Sequence, residues 1–334
     1  MSAPEDEPFT LPAGLPRAAP GRVRVLSLSG GGYRGLFTAA LIRALEARLG
    51  PDPARPTPFG QRFDLIAGTS IGGILATALS CRATGAALQA LLQRRGSSIF
   101  PPMRLRGLRK LLGRAPYDPQ RLRSAICELL PDAEQQLLGE HAPALLLTTV
   151  NWTTSKLQLL GSRPTLGQRD QLGLTLMDAM LATSAAPAHF PVHSFQHHRF
   201  VDGGLAANAT DLHALQCAQQ MYPGAEVHML SIGTANPLHG RDPSAVPGRG
   251  LMWAGPVIEL VTSAQEMLAV QECATRMGTH RYLRLNMPPS SAQQKQLDFD
   301  VADQTSTDLL LSLADDCLAS LQPADWHRLK AIVG

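Results

Sequence analysis

The chain has 334 residues, 44% hydrophobic and 17% charged, with a formal net charge of +3. That length suits one large α/β domain or two small ones, and the charge balance excludes a general polyanion binder, so neither DNA nor RNA is expected. No window reaches the roughly 18 consecutive apolar residues of a spanning helix. The cysteines Cys81, Cys127, Cys217, Cys273 and Cys317 form no C-x-x-C pair, which predicts buried free thiols without a metal.

Residues 1 to 21 are rich in proline and charge and read as a disordered or loosely docked arm. The arm has Glu5, Asp6 and Glu7 where a leader would be basic then apolar, so a cytoplasmic protein is expected. Arg22 to Ser29 alternates Val and Leu and reads as a strand running into glycines. Phe37, Leu41, Leu45 and Leu49 recur at helical spacing, and Pro51 to Pro58 is a proline loop. Phe63 to Ala67 is a short apolar strand before a turn and a helix through Cys81.

Residues 96 to 119 read as an irregular insertion within a basic run. Arg94 to Arg123 holds eight arginines and one lysine against a single acid, Asp118. Such a run is as often a solvated face as a phosphate site; in the second case Arg104, Arg106, Arg109 and Lys110 would meet a lipid head group or nucleotide.

Ala144 to Val150 and Lys156 to Leu160 read as neighbouring strands. Thr175 with Asp178 predicts a capped helix through Ser184. Val227 to Ile232 and Tyr282 to Leu285 are later strands. Met252, Trp253, Leu260 and Leu268 belong to a long apolar stripe, read first as core or a dimer face and second as a lipid-facing surface. Leu309, Leu313, Cys317 and Leu321 mark a final helix. Strands alternating with helices predict an α/β fold with a mainly parallel sheet covered on both faces.

Three motifs carry chemistry. Gly68-Thr69-Ser70-Ile71-Gly72 is a G-x-S-x-G between an apolar strand and a helix, a turn that exposes a serine at the positive end of that helix. Gly30-Gly31-Gly32-Tyr33-Arg34-Gly35 also joins a strand to a helix. It fits a dinucleotide fingerprint in outline, but no acid ends the second strand as that reading needs. Consecutive glycine N–H groups at a helix start suit an oxyanion hole instead, with Arg34 adding charge or bracing the loop. Asp202-Gly203-Gly204 follows a short strand and supplies a carboxylate, although Asp-Gly is also a common turn.

In this order and spacing, G-G-G-x-R-G, G-T-S-I-G and D-G-G resemble the patatin-like phospholipases. Ala182 to Pro187, Phe190-Pro191, Asn208 and Ser231 to Thr234 extend the likeness. The resemblance covers about residues 22 to 236. It implies a three-layer α/β/α domain over 22–334, with the basic insertion at about 94–123 and a helical part at about 251–334. It also implies Ser70 as nucleophile, Asp202 as its base, and Gly30, Gly31, Gly32, Arg34 and Ile71 around the oxyanion. The implied substrate is membrane phospholipid, cleaved without a cofactor by peripheral action at the inner membrane. The G-G-G-Y-R-G opening and Ile99-Phe100-Pro101 further resemble the phospholipase effectors of CBASS antiphage signalling. Those imply a cyclic dinucleotide activator such as cyclic GMP-AMP; a homo-oligomer is compatible with the sequence.

Alternatives stay open. His189, His193, His197 and His198 lie near Asp202 in sequence, and His213, His228, His239 or His280 could complete a Ser-His-Asp esterase. A constitutive lipase, or an inactive binding module on the same fold, would carry many of the same features.

Overall fold

The computed structural model describes residues 21–50, 58–102, 117–140, 143–162, 173–236, 254–294 and 296–334. The sequence expectations for the N-terminal arm, for Arg104, Arg106, Arg109 and Lys110, for Met252 and Trp253, and for His239 fall outside these residues.

Among the described residues, eight strands form one sheet: β1 Arg22–Leu28, β2 Leu65–Thr69, β3 Ala144–Asn151, β4 Lys156–Gly161, β5 His193–Phe195, β6 His198–Asp202, β7 Glu226–Ile232 and β8 Tyr282–Leu285. Their order is β5-β6-β3-β2-β1-β7-β8, with β4 paired to β3. The β1–β2, β1–β7, β2–β3 and β7–β8 ladders are parallel, whereas β3–β4, β3–β6 and β5–β6 are antiparallel.

Alternate side chains divide between two cores, as the two-residue strand period requires. Leu26, Leu28, Ile66, Leu145, Leu147, Leu230 and Ile232 enter the larger core. Val23, Val25, Leu65, Ala67, Ala144, Leu146, Val227 and Met229 enter the smaller one. The larger lies under helices α1 Gly35–Leu49, α2 Ile71–Ser80, α3 Gly85–Ile99, α4 Pro119–Leu129, α5 Leu176–Thr183, α8 Gln304–Ala319 and α9 Pro323–Val333. The smaller lies under α6 Asp211–Met221 and α7 Ala254–Met277. This is an α/β/α sandwich with its parallel strands buried on both faces.

Local chemistry explains the helix limits. Phe37, Leu41 and Leu45 are buried along α1, which stops at Gly50 in a left-handed conformation with φ 63°. Thr84 and Asp118 accept backbone N–H bonds at the starts of α3 and α4, with Pro119 in the first turn of α4. Thr175 caps α5 through the Asp178 N–H, at 3.1 Å.

Several expectations need correction. The stretch read as an irregular insertion at 96–119 is helical through Ile99, and a new helix opens at Pro119. The basic run is partly neutralised by acids beyond its end: Arg94 and Arg95 each lie 2.6 Å from Glu128, and Arg123 lies 2.7 Å from Glu134. The stripe Leu309 to Leu321 marks a penultimate helix, after which Gln322 caps α9. None of the five cysteines is in a disulfide, but Cys81 and Cys127 are half-buried rather than buried. Among the described residues, no helix is long and apolar enough to cross a membrane.

Candidate active site

Strand β3 brings the serine and the aspartate together. Leu146 to Thr148 pair with both β2 and β4, and Thr149 to Asn151 pair with both β6 and β4. A strand has two edges, so β2 and β6 must share one of them, end to end. Thr69 pairs with Thr148 and Asp202 with the adjacent Thr149. Ser70, one residue past Thr69, therefore meets Asp202 at the carboxyl end of the parallel strands, where open α/β sheets place their sites.

Ser70 occupies the turn into α2 with φ 55° and ψ −125°, a strained conformation for a non-glycine residue. Neighbouring side chains over-determine it. Its N–H donates to Thr183 Oγ1 at 2.9 Å, and Thr183 Oγ1 donates to the Thr148 carbonyl at 2.6 Å. The Gly203 N–H reaches the Thr183 carbonyl and the Asp202 N–H the Ala185 carbonyl, at 3.3 and 3.0 Å. The Ala182 to Pro187 segment is thus a splint between the two turns.

The Ser70 hydroxyl lies within hydrogen-bonding influence of the Asp202 carboxylate. The carboxylate also accepts from the Gly204 N–H at 2.7 Å. Both side chains are buried, and burial raises the Asp202 pKa to about 6, against the lowering effect of the Ser70 and Gly204 bonds. A carboxylate so desolvated is a stronger base than one in water while remaining mostly ionised at neutral pH.

The glycine loop leaves β1 beside this pair. Gly32 sits at φ 57° and packs so closely on Phe299 that a Cβ would lie 2.9 Å from its ring. Gly30 was expected among the oxyanion groups, but its N–H donates to the Asn208 carbonyl at 3.0 Å. Its carbonyl accepts from Thr234 Oγ1 at 2.9 Å and from Asn208 Nδ2 at 3.4 Å. Among the described residues, the Gly31 and Gly32 N–H groups have no acceptor. The Ile71 N–H, in the first turn of α2, has no intrahelical partner either. Three N–H groups near a buried serine can hold a developing oxyanion. Arg34 braces the loop by donating to the Gly31 carbonyl at 3.4 Å. Burial pushes its pKa below the ordinary value, opposed by Glu266, Asp298 and Glu259.

Behind the loop lies a polar network absent from the sequence reading. Glu266 on α7 accepts from Asn208 Nδ2 and Asn236 Nδ2, both at 2.6 Å, and pairs with Arg284 at 2.5 Å. Arg284 also donates to Ser29 Oγ and Ser231 Oγ, at 3.0 and 2.7 Å. Asp211 accepts from Ser27, Ser231 and Tyr282. The adjacent Gln265 donates to the Gly204 carbonyl and accepts from the Asn208 N–H. Helix α7 thereby grips the segment after Asp202 and the glycine loop together. Glu266 and Gln265 lacked a local motif, because their partners lie 18 to 61 residues away.

The histidines with described partners are engaged elsewhere. His193 lies 3.2 Å from Asp178, His228 lies 3.0 Å from Glu226, and His189 lies 3.3 Å from Asp300. The dinucleotide reading also loses its acid. Asp64 stands before β2, where its carboxylate accepts from the Arg24 N–H at 2.8 Å, at the end of the sheet away from the glycines.

The patatin-like phospholipase family matches residues 26–214. The chain is 33% identical over 284 residues to a cGAMP-activated phospholipase of Pseudomonas aeruginosa, covering 82% of each. It is 32% identical over 308 residues to the cGAMP-activated phospholipase of Vibrio cholerae, covering 83% of this chain and 85% of that one. It is also 32% identical over 333 residues to one from Escherichia coli, covering 92% of each. Among solved structures, human GIVD cytosolic phospholipase A2 aligns with a TM-score of 0.46 at 12% identity, over 94% of this chain and 60% of that one.

Proposed function

Because the chain belongs to the patatin-like phospholipase family, we propose that it cleaves membrane phospholipid esters with a Ser70–Asp202 dyad under cyclic-dinucleotide control. The buried juxtaposition of Ser70 and Asp202, beside Gly31 and Gly32 N–H groups that have no acceptor among the described residues, carries the chemical part of this reading.

Ser70 Oγ attacks the ester carbonyl carbon while Asp202 takes its proton. The carbonyl oxygen becomes an oxyanion held by the N–H groups of Gly31, Gly32 and Ile71. Collapse breaks the ester bond, and the departing lysolipid oxygen takes the proton back from Asp202. Asp202 then deprotonates water, which attacks the acyl-enzyme and releases the fatty acid as Ser70 recovers its proton. The Ser-His-Asp alternative fits less well, because Ser70 already lies against the carboxylate and Asp202 Oδ1 is engaged by Gly204.

The names of the three bacterial relatives support cyclic GMP-AMP as activator, while an antiphage effector acting peripherally on the inner membrane rests on the resemblance of the sequence to the CBASS phospholipases. Arg104, Arg106, Arg109 and Lys110 remain the residues through which the basic run would meet the nucleotide. Purified protein should hydrolyse phospholipid vesicles slowly alone and about 100-fold faster with cyclic GMP-AMP, which requires about 2.7 kcal/mol of differential affinity between states. Charge reversal at Arg104, Arg106 and Arg109 should weaken activation and spare hydrolysis of a small soluble ester. High activity unchanged across a panel of cyclic dinucleotides would leave an unregulated lipase.

A further inference from the structure

The structure carries a second feature at the edge of the sheet that holds Ser70. Beyond Thr148, the residue level with Thr69, β3 continues for three residues to Asn151, about 10 Å at ~3.3 Å per residue. The turn at residues 152–155 therefore stands clear of the catalytic edge. The β5–β6 turn at Gln196 and His197 projects the same way, because β6 runs down from His198 to Asp202 opposite Thr149. The two hairpins are joined at their tips, where the Trp152 N–H donates to the Arg199 carbonyl at 2.7 Å.

Their composition is one-sided. Residues 143–162 and 187–201 contain no Asp or Glu. The permanent charges there are Lys156 and Arg199, and both are exposed. The neighbouring acid Asp178 is engaged by His193 and Thr175. Trp152 is 64% exposed and Val192 42% exposed. An exposed tryptophan flanked by cations on a projecting tip has the chemistry of a bilayer–water interface, where the indole sits at headgroup level.

Helix α7 offers the competing apolar surface, with Val257, Leu260, Val261 and Leu268 exposed. It also carries three acids, Glu259, Glu266 and Glu272, and one cation, Arg276, which pairs with Glu272 at 2.6 Å. That helix offers no excess of cations, whereas the hairpins carry Lys156 and Arg199 without an acid, so an anionic lipid surface favours the hairpins. We propose that Trp152, Lys156, Val192 and Arg199 form a docking rim that seats the catalytic edge on an anionic phospholipid bilayer. The inference rests on the reading of a membrane-borne substrate and adds the surface through which the bilayer is engaged.

The test compares wild type, Trp152→Ala and the double variant Lys156→Glu/Arg199→Glu, each with and without cyclic GMP-AMP. Binding is read by co-sedimentation with vesicles of phosphatidylglycerol and phosphatidylethanolamine, and with phosphatidylcholine alone. Hydrolysis is followed on the same vesicles and on a short-chain soluble ester. Both variants should lose at least tenfold in binding to, and hydrolysis of, the anionic vesicles, while ester hydrolysis stays within twofold. Contact is read by quenching of tryptophan fluorescence with spin-labelled lipid; the part of the signal lost in Trp152→Phe belongs to Trp152.

Retained vesicle binding in both variants, or an unquenched Trp152 in bound protein, would overturn the rim. So would a change of oligomeric state on Trp152→Ala with vesicle binding intact, which would make the face a contact between copies. Loss of ester hydrolysis alongside vesicle binding would place these residues in the active site instead. If the variants lose vesicle binding while wild type cleaves neither lipid nor ester, the rim stands and the hydrolase reading falls.

Discussion

Two neighbouring strands, β1 and β2, each run through glycines into a helix at the same edge of the sheet, yet their turns are built differently. After β1 the left-handed position is Gly32, which reaches φ 57° without steric cost. After β2 the corresponding strain falls on Ser70, at φ 55°, although glycines stand two residues to either side. The first turn needs only backbone N–H groups, so a residue without a side chain serves it. Under the proposed mechanism the second needs a hydroxyl, and Thr183, Thr148 and the start of α2 hold the backbone that carries it. If Ser70 is the nucleophile we propose, the strain there is a cost tied to chemistry, of order 1–3 kcal/mol.

The sharpest way to break this contrast is to make the second turn like the first. Ser70→Gly should reduce ester hydrolysis by roughly 10⁶-fold, the scale seen when a serine nucleophile is lost. It should also be more stable than Ser70→Ala by about 1 kcal/mol, since only glycine relieves the left-handed backbone. Activity assays with denaturant unfolding of both variants test this, and equal stabilities would remove strain from the account. Asp202→Asn comes next, with an expected loss of roughly 10⁴-fold, because a dyad has no second base. A histidine substitution of equal effect would restore the triad.

The turn after β1 is probed by Gly31→Ala. The added methyl would meet Thr234, whose Cβ lies 2.7 Å from its position, so the loop must shift. Turnover should fall by roughly 10²–10³-fold with little change in KM, as for loss of one oxyanion donor. Steady-state kinetics on a soluble ester distinguish this from a binding defect, in which KM alone would rise.

The two turns also differed in how far the sequence revealed them. The turns that bring Ser70, Asp202 and the glycines together were legible because each sits in a short motif whose spacing sets the backbone. Periodicity located β1, β7, β8 and α1 because their alternating or helical faces are buried. What stayed hidden depends on distant partners. Nothing local marks Glu266, whose importance lies in joining Asn208, Asn236 and Arg284. The committed N–H of Gly30 was invisible because its acceptor, the Asn208 carbonyl, is 178 residues away. The basic run looked unopposed because Glu128 and Glu134 lie just beyond it and fold back as partners.

The smallest effect, and the one that isolates burial, is pH dependence at Asp202. The folded carboxyl titrates near 6, above the ordinary value of 3.8, chiefly because burial disfavours its charged form. Hydrolysis of a soluble ester should therefore fall about tenfold between pH 7 and pH 5, as the base becomes protonated. The folded state holds this proton more tightly than the unfolded chain. Its destabilising contribution is absent below about pH 4, grows as pH rises, and is complete above about pH 6. A shift of about two units at about 1.4 kcal/mol each weighs roughly 3 kcal/mol against folding at neutral pH. Asn cannot ionise and still offers an oxygen to the Gly204 N–H, so Asp202→Asn escapes that burden. Denaturant titrations at pH 4 and pH 8 should show the variant gaining about 2.5 kcal/mol on wild type across the interval. A stability difference that does not move with pH would mean that water reaches the carboxylate, and the explanation of its basicity by burial would fail.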